Sequence, residues 1–345
     1  MNMSPRSLRD THVTLSHGGG GRAMRNLIDS VFTSVFLPDG MEDQARLTHP
    51  ALAEPGARLA MTTDGFVVDP VEFPGGDIGK LAVCGTINDL AVGGARPLWL
   101  SAAFIVEEGT EIALLRRVVA SMASAAQDAG VRIVTGDTKV VARGAADKVF
   151  ITTTGIGVIP PGRDLAAAHI VPGDAVIVNG VLGDHGAAIL AARGEMALHS
   201  DIQSDCQSLN GLMEAALAAA PGIRAARDAT RGGLASALNE MADEANVSIL
   251  LEEDRLPLRS DVRGVCEILG LDPLYLANEG TLVMFAPPDQ AEAVLGAMRG
   301  TAAGCDACVV GHVTDRRGTA VSMTTSFGGT RIVDMLVGEQ LPRIC

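Results

Sequence analysis

The sequence predicts a mixed α/β protein, on three observations. Apolar residues alternate along some segments, as in strands, and recur at helical spacing along others, and the two kinds of segment are interleaved. The chain has 345 residues, enough for two domains of ordinary size. Aromatic residues make up 3% of the chain against 47% hydrophobic residues in all, so the core must consist mainly of Ala, Val, Leu and Ile. No short sequence repeat is visible, which excludes solenoids and propellers.

The first half of the chain alternates between strands and helices. Asp77 and Thr110 are the predicted N-caps of two helices, and Gly93-Gly94 and Gly130 are expected to end them. The predicted strands are 58–63, 97–106, 131–141 and 148–159, and the predicted helices are 78–91 and 111–129.

The sequence Pro160-Pro161-Gly162 is the predicted domain boundary, because consecutive prolines cannot continue a strand ladder. We therefore expect one domain at 1–160, a second at 161–335 and a flexible tail at 336–345, whose apolar periodicity is too weak for a packed element. The predicted strands of the second domain are 175–179, 247–252, 280–286 and 307–313, and its predicted helices are 183–193, 208–220, 231–245, 260–268 and 289–299.

Charge and targeting signals limit the possible functions. The net charge is −14, and no basic run offsets it, so binding to nucleic acid is not expected. An anionic nucleotide remains possible if Mg²⁺ bridges it to carboxylates. No signal-peptide core and no apolar segment of ~18 residues is present, which favours a cytoplasmic protein. The six scattered cysteines are expected to be free thiols.

Four successive glycines, Gly18, Gly19, Gly20 and Gly21, follow His17 and precede a helical run. Such a loop exposes backbone N–H groups, which can bind a phosphate. The spacing fits neither the dinucleotide fingerprint nor the Walker pattern. Taken alone, the glycines are as well explained by a surface loop.

Carboxylates beside glycine or at predicted strand ends form a second group. One such residue is ordinary turn chemistry. Several of them in an α/β protein can converge in one crevice, where their oxygens would bind Mg²⁺ and its phosphates. Lys139 lies two residues beyond Asp137, on the same side of an extended segment, and its ammonium group would neutralise a phosphoryl group. The group comprises Asp64, Asn88-Asp89, Asp137-Thr138, Asp228 and Glu279.

Cys345 is the last residue of the sequence. Prenylation requires a cysteine four residues from the end, so the tail does not fit that pattern. A thiol on a mobile tail suits a group carrier that visits two sites, although an accidental terminal cysteine remains possible. Cys305 and Cys308 are spaced as half of a zinc site, but no second pair of ligands follows at useful spacing.

Together these motifs closely resemble the HypE family, the carbamoyl dehydratases of NiFe-hydrogenase maturation, in the PurM-like superfamily related to aminoimidazole ribonucleotide synthetase. The resemblance runs nearly end to end. The internal motifs are shared across this ATP-using superfamily, and the final four residues separate HypE from its relatives. The motifs are His17-Gly18-Gly19-Gly20-Gly21, Thr63-Asp64-Gly65-Phe66, the glycine-rich run 79–97, Gly136-Asp137-Thr138-Lys139, Ala229-Thr230-Arg231-Gly232-Gly233, Asn278-Glu279-Gly280 and Pro342-Arg343-Ile344-Cys345.

The resemblance implies a two-domain fold in which N-terminal domains form a β-barrel across a homodimer and the C-terminal domain is an α/β sandwich. It implies ATP and Mg²⁺ between the domains, with the glycine loop over the triphosphate. By the same resemblance, Lys139 contacts phosphate and Glu279 lies near the reacting group. The implied metal and phosphate residues are Asp64, Asp89 and Asp137, and Asn88 and Thr138 join the nucleotide site.

The implied reaction uses Cys345 as a carrier. The carbamoyltransferase HypF would place a carboxamide on the thiol, and ATP would phosphorylate the amide oxygen. A base would then remove an N–H proton while phosphate leaves, and the cyanide would pass to the HypC–HypD scaffold complex. Glu279 is the expected base, with His17 as the second candidate. Two rival functions are an enzyme of the same superfamily that phosphorylates a free small molecule, and a non-catalytic carrier.

Overall fold

A computed structural model describes residues 8–36, 42–194, 201–316, 318–338 and 343–345. The strands form a four-stranded sheet, a seven-stranded sheet and one small hairpin. The strands are β1 (Arg58–Phe66), β2 (Glu72–Phe73), β3 (Gly76–Asp77), β4 (Arg96–Glu107), β5 (Arg132–Val141), β6 (Val149–Ile159), β7 (Ala175–Val178), β8 (Ala225–Asp228), β9 (Ser248–Glu252), β10 (Leu282–Ala286), β11 (Cys308–Thr314), β12 (Val321–Thr324) and β13 (Thr330–Ile332).

The helices follow the predicted alternation with the strands. A short helix, α1, continues through a π-helical turn at Ile28–Thr33 into α2, and five 3₁₀ turns follow later in the described residues. The α-helices are α1 (Arg22–Leu27), α2 (Ser34–Phe36), α3 (Ile78–Val92), α4 (Ile112–Asp128), α5 (Asp184–Arg193), α6 (Asn210–Ala219), α7 (Gly233–Ala245), α8 (Ser260–Leu269) and α9 (Ala291–Arg299). Among these described helices, none is both long enough and apolar enough to cross a membrane.

The first sheet has the strand order β1-β6-β4-β5, with β4 and β5 parallel and the other pairs antiparallel. The helix α3 begins where Asp77 accepts hydrogen bonds from the amides of Gly79 and Lys80, as predicted for an N-cap. Thr110 is not the cap of α4. Its hydroxyl donates to the carbonyl of Lys148, and the residue before α4 is Glu111, whose side chain makes no capping bond.

The second sheet has the order β13-β12-β9-β11-β7-β10-β8. Its interior strand β7 is buried at all four residues, and the neighbouring interior strand β10 is buried at all five. Sequence analysis missed β8, β12 and β13. These strands have three or four residues and carry arginine, aspartate, serine or threonine, so they show no apolar run.

The mixed α/β prediction is therefore confirmed. The two larger sheets lie on either side of residue 160 in the sequence, while the division into 1–160, 161–335 and 336–345 stays a prediction. Within the described residues the four-stranded sheet is open, with β1 and β5 at its edges. The expected barrel across a homodimer would need a second copy of the chain.

Candidate active site

Four carboxylates, two from each half of the chain, come together. We call Asp64, Asp89, Asp228 and Glu279 the acidic cluster. Asp64 lies on β1, Asp89 on α3 and Asp228 at the end of β8. A cavity of about 400 Å³ opens beside Asp89 and Asp228 and is also lined by Thr62. The hydroxyl of Thr62 donates to Asp89 over 2.8 Å.

Three members of the acidic cluster, Asp89, Asp228 and Glu279, have raised pKa values. Burial raises the pKa of Asp89, and the charge of Asp64 raises it further. Burial likewise raises the pKa of Asp228 to about 7, with Asp89 and Asp64 adding to the effect. Asp89 and Asp228 therefore both lie within the field of neighbouring carboxylates. A cation among them would relieve this repulsion, and carboxylate oxygens are ligands that Mg²⁺ prefers.

Glu279 is the most deeply buried member, with 3% of the residue exposed. Its Oε1 atom has no hydrogen-bond partner among the described residues. Burial raises the pKa of Glu279 well above its ordinary value, and the charges of Asp205 and Asp228 add to this. An unpartnered carboxyl group in such surroundings is typical of a general acid or base.

The loop that carries Glu279 is held by Asp205, which sequence analysis missed. The Asp205 carboxylate accepts hydrogen bonds from the amides of Glu279 (2.9 Å) and Gly280 (3.0 Å) and from the hydroxyl of Thr281 (3.0 Å). A Cβ atom on Gly280 would lie 1.9 Å from the Asp205 carbonyl oxygen, so only glycine fits there. The Asn-Glu-Gly motif thus places a bare backbone against Asp205.

Asn88 joins α3 to the same loop rather than facing an open site. Its amide nitrogen donates to the carbonyls of Gln207 (3.0 Å) and Glu279 (3.3 Å), and its oxygen accepts from the amide of Leu209 (2.8 Å). The residue is 2% exposed. These contacts give Asn88 a structural role, and its expected contact with nucleotide stays a prediction.

The described end of the tail, residues 343–345, is docked against the body of the protein. Ile344 is 6% exposed and joins the hydrophobic cluster of the first sheet, and Cys345 packs on the same cluster. Burial raises the pKa of the Cys345 thiol, as do the charges of Glu279, Asp64 and Asp228, while Arg231 lowers it. The structure therefore brings Cys345 to the acidic cluster. That the tail also leaves this position stays a prediction.

Asp137, Thr138 and Lys139 lie apart from the acidic cluster, on β5, and we call them the β5 group. The Lys139 ammonium donates to Asp137 over 2.6 Å, which confirms that both side chains point to the same side. Asp137 also accepts from the amide of Thr138 over 2.8 Å. The hydrogen bond from Lys139 holds the pKa of Asp137 below its ordinary value. A cavity of about 600 Å³ lies beside Asp137 and Thr138.

The glycine loop lies next to the β5 group. A Cβ atom on Gly18 would lie 2.9 Å from that of Val140, so the loop approaches β5 closely only because this residue is glycine. Gly20 has a φ of +75° and nothing within 4 Å of its Cβ position, and Gly21 is similarly open. The structure therefore places the loop next to β5, while its contact with phosphate stays a prediction.

His17 is buried within its own turn, with 1% exposed. Its Nδ1 accepts from the amide of Thr14 over 3.0 Å, and its Nε2 lies 3.3 Å from a carboxylate oxygen of Asp10. These are neighbours in sequence, and no described contact joins His17 to Glu279 or Cys345. The geometry therefore favours Glu279 over His17 as the base.

The register of the first sheet separates Asp64 from Asp137. Gly65 pairs with Thr152, Thr152 with Ala103, and Ala103 with Asp137. Side chains alternate between faces along a strand, so Asp64 and Asp137 lie on opposite faces, three strand spacings of about 4.8 Å apart. In the described residues, no set of three His, Cys, Asp or Glu side chains is arranged to hold a metal ion. The expected trio of Asp64, Asp89 and Asp137 is thus not gathered within one chain.

Asp205 and Arg193 were missed for one reason. Asp205 contacts the Glu279 loop and Arg193 contacts the docked tail, but these partners lie far away in sequence. No local motif marks them. Asp228 and Arg231 lie just before Gly232-Gly233, in a motif that the sequence does mark.

Two family models match the chain. The N-terminal domain of the AIR synthase related proteins matches residues 42–159, and the C-terminal domain of the same proteins matches residues 171–324. Together they cover most of the chain.

Several similar proteins are named HypE. The chain is 71% identical over 339 residues to carbamoyl dehydratase HypE of Rhodobacter capsulatus, covering 98% of this chain and 100% of that protein. The crystal structure of the hydrogenase maturation protein HypE in complex with ATP is 46% identical, with a TM-score of 0.90 over 96% of this chain and 99% of that one. The crystal structure of a HypE–HypF complex matches with 42% identity and a TM-score of 0.79 over 92% of this chain and 100% of that one. With this fold, these motifs and these relatives, the chain belongs to the HypE family within the AIR synthase related proteins.

Proposed function

We propose that this protein is an ATP-dependent carbamoyl dehydratase, which converts a carboxamide carried on Cys345 into a thiocyanate and so supplies the cyanide ligands of the NiFe-hydrogenase iron centre. One observation carries the proposal. The Cys345 thiol docks where the charge of Glu279 raises its pKa, beside a carboxyl group that has an unpartnered oxygen. A carrier thiol and a buried base therefore share one site.

The reaction follows from what each residue can do. The carboxamide oxygen on Cys345 attacks the γ-phosphorus of ATP, ADP leaves, and loss of one N–H proton gives an O-phosphorylated imidate. Glu279 then takes the remaining N–H proton, the C–O bond breaks, and phosphate departs from the thiocyanate. A base of raised pKa suits this step because a weakly acidic N–H proton must be removed. The docked backbone of Ile344 supplies proximity.

The residues that would hold the nucleotide are the β5 group, the glycine loop, Asn88 and the aspartates Asp64 and Asp89. Lys139 would neutralise phosphoryl charge. Among the described residues, no atom beyond their chain neighbours lies within 4 Å of the Cβ positions of Gly20 and Gly21, so a phosphate could approach their backbone. The metal ligands would be Asp64, Asp89 and Asp137. When bound, Mg²⁺ would screen the charge of the phosphates and of these carboxylates.

We propose a homodimer as the working form. On β1, Leu59 is 67% exposed and Met61 is 72% exposed, and both lie on the face of the sheet that bears Asp137. Apolar side chains exposed to this degree on one strand face are typical of a surface that is covered by another copy. A second copy is also what the separation of Asp64 and Asp137 calls for.

The proposed partners supply and consume the carried group. HypF would load the carboxamide, in line with the solved HypE–HypF complex, and a HypC–HypD scaffold would accept the cyanide. Cytoplasm is the proposed location, because a carrier thiol must stay reduced.

Mass spectrometry of Cys345 tests the function. The protein is incubated with HypF, carbamoyl phosphate and ATP, and the peptide containing Cys345 should gain a carboxamide and then lose one water. Cys345→Ala should abolish both changes, and Cys305→Ala, which removes an exposed thiol elsewhere, should leave them intact. A carboxamide that persists with ATP present would contradict the dehydratase. ATP turnover on a free small molecule by Cys345→Ala would instead favour the other superfamily activity.

A further inference from the structure

His185 is a buried polar residue to which neither the motifs nor the proposed chemistry gives a role. It lies in the first turn of α5 and is fully buried. Its Nδ1 lies 2.8 Å from the hydroxyl oxygen of Ser204, and its Nε2 lies 2.7 Å from the carbonyl oxygen of Ile344. Ile344 immediately precedes Cys345. The imidazole therefore connects a fixed part of the protein to the backbone of the docked tail.

The hydrogen-bond partners of His185 define which of its two ring nitrogens carries the proton. A carbonyl oxygen only accepts, so Nε2 bears the hydrogen and donates it to Ile344, and Nδ1 accepts from Ser204. Burial lowers the pKa of His185 to about 4, although the bond to Ile344 acts in the opposite direction. The ring of Phe73 packs edge-on at 5.5 Å. A neutral ring with one fixed donor thus faces the tail.

Arg193, at the other end of α5, binds the backbone of Arg343, the residue before Ile344. Arg193 donates to the carbonyl of Arg343 over 3.0 Å and to the carbonyl of Asp69 over 2.9 Å. The amide of Asp69 also donates to Arg343 over 3.2 Å. Two consecutive carbonyls of the tail are therefore bound by the two ends of α5.

We propose that His185 is a positioning residue for the carrier thiol: its Nε2–H holds the Ile344 carbonyl and so keeps Cys345 at Glu279. The placement of the tail stands on the contacts above, and its consequence for dehydration rests on the proposed function. Ile344 also buries its side chain in the hydrophobic cluster of the first sheet, and this burial stabilises the docked position of the tail. The directional bond to His185 gives the backbone its position along the cleft.

Alkylation of Cys345 tests the placement without any assumption about catalysis. The full-length wild type, His185→Ala and His185→Gln are treated with iodoacetamide, and each cysteine peptide is followed by mass spectrometry. His185→Ala should raise the alkylation rate of Cys345 about tenfold, as expected when a buried hydrogen bond is lost. His185→Gln keeps an N–H donor and should restore much of the protection. His169→Gln, an exposed histidine elsewhere, is the matched control.

Cys84 and Cys206 serve as internal controls because both are buried. A parallel rise at these two thiols would mean that the variant loosens the core around Ser204 and not the tail alone, and it would overturn the positioning role. Unchanged protection of Cys345 in His185→Ala would overturn it as well. If His185→Ala does not fold, the result for His185→Gln decides. Protection of Cys345 near the wild-type level supports the proposal. Loss of protection at Cys345 alone contradicts it, because the glutamine side chain still offers an N–H donor.

A single-turnover measurement separates this proposal from the proposed function. With Cys345 already loaded, His185→Ala should dehydrate more slowly at saturating ATP, with an unchanged ATP concentration for half-maximal rate, and His185→Gln should recover part of the rate. A wild type that forms no thiocyanate, together with exposure of Cys345 in His185→Ala, would refute the proposed function and leave the positioning role. Full dehydration by an unprotected His185→Ala protein would refute positioning and leave the function.

Discussion

Glu279 and Asp137 are both carboxylates of the candidate site, yet their surroundings drive their acidity in opposite directions. Glu279 is 3% exposed, and burial raises its pKa. The Asp137 side chain is 55% exposed and lies 2.6 Å from the Lys139 ammonium, which lowers its pKa. Asp137 is thus a permanent anion at neutral pH, while Glu279 is a strong base kept out of water.

The difference shows how one protein can divide binding from chemistry. A solvated carboxylate paired with lysine suits a cation and phosphates, since it needs no proton exchange before it binds them. A buried carboxyl group suits proton transfer, because its raised pKa makes its ionised form a stronger base. Asp205 makes the buried environment of Glu279 possible, because it binds the Glu279 backbone and does not neutralise the Glu279 side chain.

The largest effect is expected at Glu279. Glu279→Gln preserves the shape of the side chain and the backbone bonds to Asp205 but removes the base, so the dehydration rate should fall about 10²- to 10⁴-fold. ATP affinity should change little. Single-turnover formation of thiocyanate on Cys345 measures the rate, and Glu240→Gln, an exposed glutamate paired with Arg227, is the control. Dehydration within a few-fold of the wild type would exclude Glu279 as the base.

The β5 group should show a smaller effect, and on binding instead of chemistry. Asp137→Asn removes a solvated anion and releases Lys139, so Mg·ATP should bind about tenfold more weakly, or about 1.4 kcal/mol. The loss should shrink at high salt because the site is exposed. Calorimetry at two salt concentrations checks both statements, with Asp243→Asn, whose ion pair with Arg316 lies on the other half, as control. Unchanged affinity and turnover would remove Asp137 from the nucleotide site.

How far sequence predicted this molecule depended on whether the determining contacts were local. The start of α3 followed from Asp77, whose side chain bonds amides two and three residues ahead. The pairing of Lys139 with Asp137 followed from strand alternation. Asp205 could not be found in this way, since it acts on a loop 74 residues further along. Nor could the separation of Asp64 from Asp137, which depends on the order of four strands.

Thr110 shows the opposite failure, in which a local rule was overridden. Threonine before an apolar helical run is a good N-cap candidate. In the structure its hydroxyl instead donates to the carbonyl of Lys148, whose backbone lies beside it, with a φ of +61°. The Lys148 carbonyl, which also accepts from the Glu107 amide over 2.8 Å, thus takes the hydroxyl that would otherwise be free to cap the helix. Such competition cannot be seen without the fold.

The smallest predicted effect is a pH dependence of stability that distinguishes the two kinds of carboxylate. The pKa of Asp228 is about 7 in the folded protein and near 3.8 when unfolded, so between these values the folded state binds more protons. Stability contributed by this group must therefore rise as pH falls through 7. In the absence of nucleotide and metal, lowering the pH from 8 to 6 should add about 1 kcal/mol through Asp228. Asp137, whose pKa is lowered, contributes nothing in this window and loses stability only at acid pH.

The measurement must separate the contribution of Asp228 from those of other groups that titrate in the same pH range. His185 acts in the opposite direction, since its pKa of about 4 lies below that of an unfolded histidine, and stability from this group is lost as pH falls below 6.5. The difference in unfolding free energy between the wild type and Asp228→Asn cancels that contribution, provided both are followed by urea denaturation at pH 8, 7 and 6. This difference should grow by about 1 kcal/mol in favour of the wild type as pH falls, whereas the same comparison for Asp137→Asn should stay flat. A flat difference for Asp228 would mean that its carboxyl group is ionised and solvated like that of Asp137, and the contrast between the two regions would then rest on Glu279 alone.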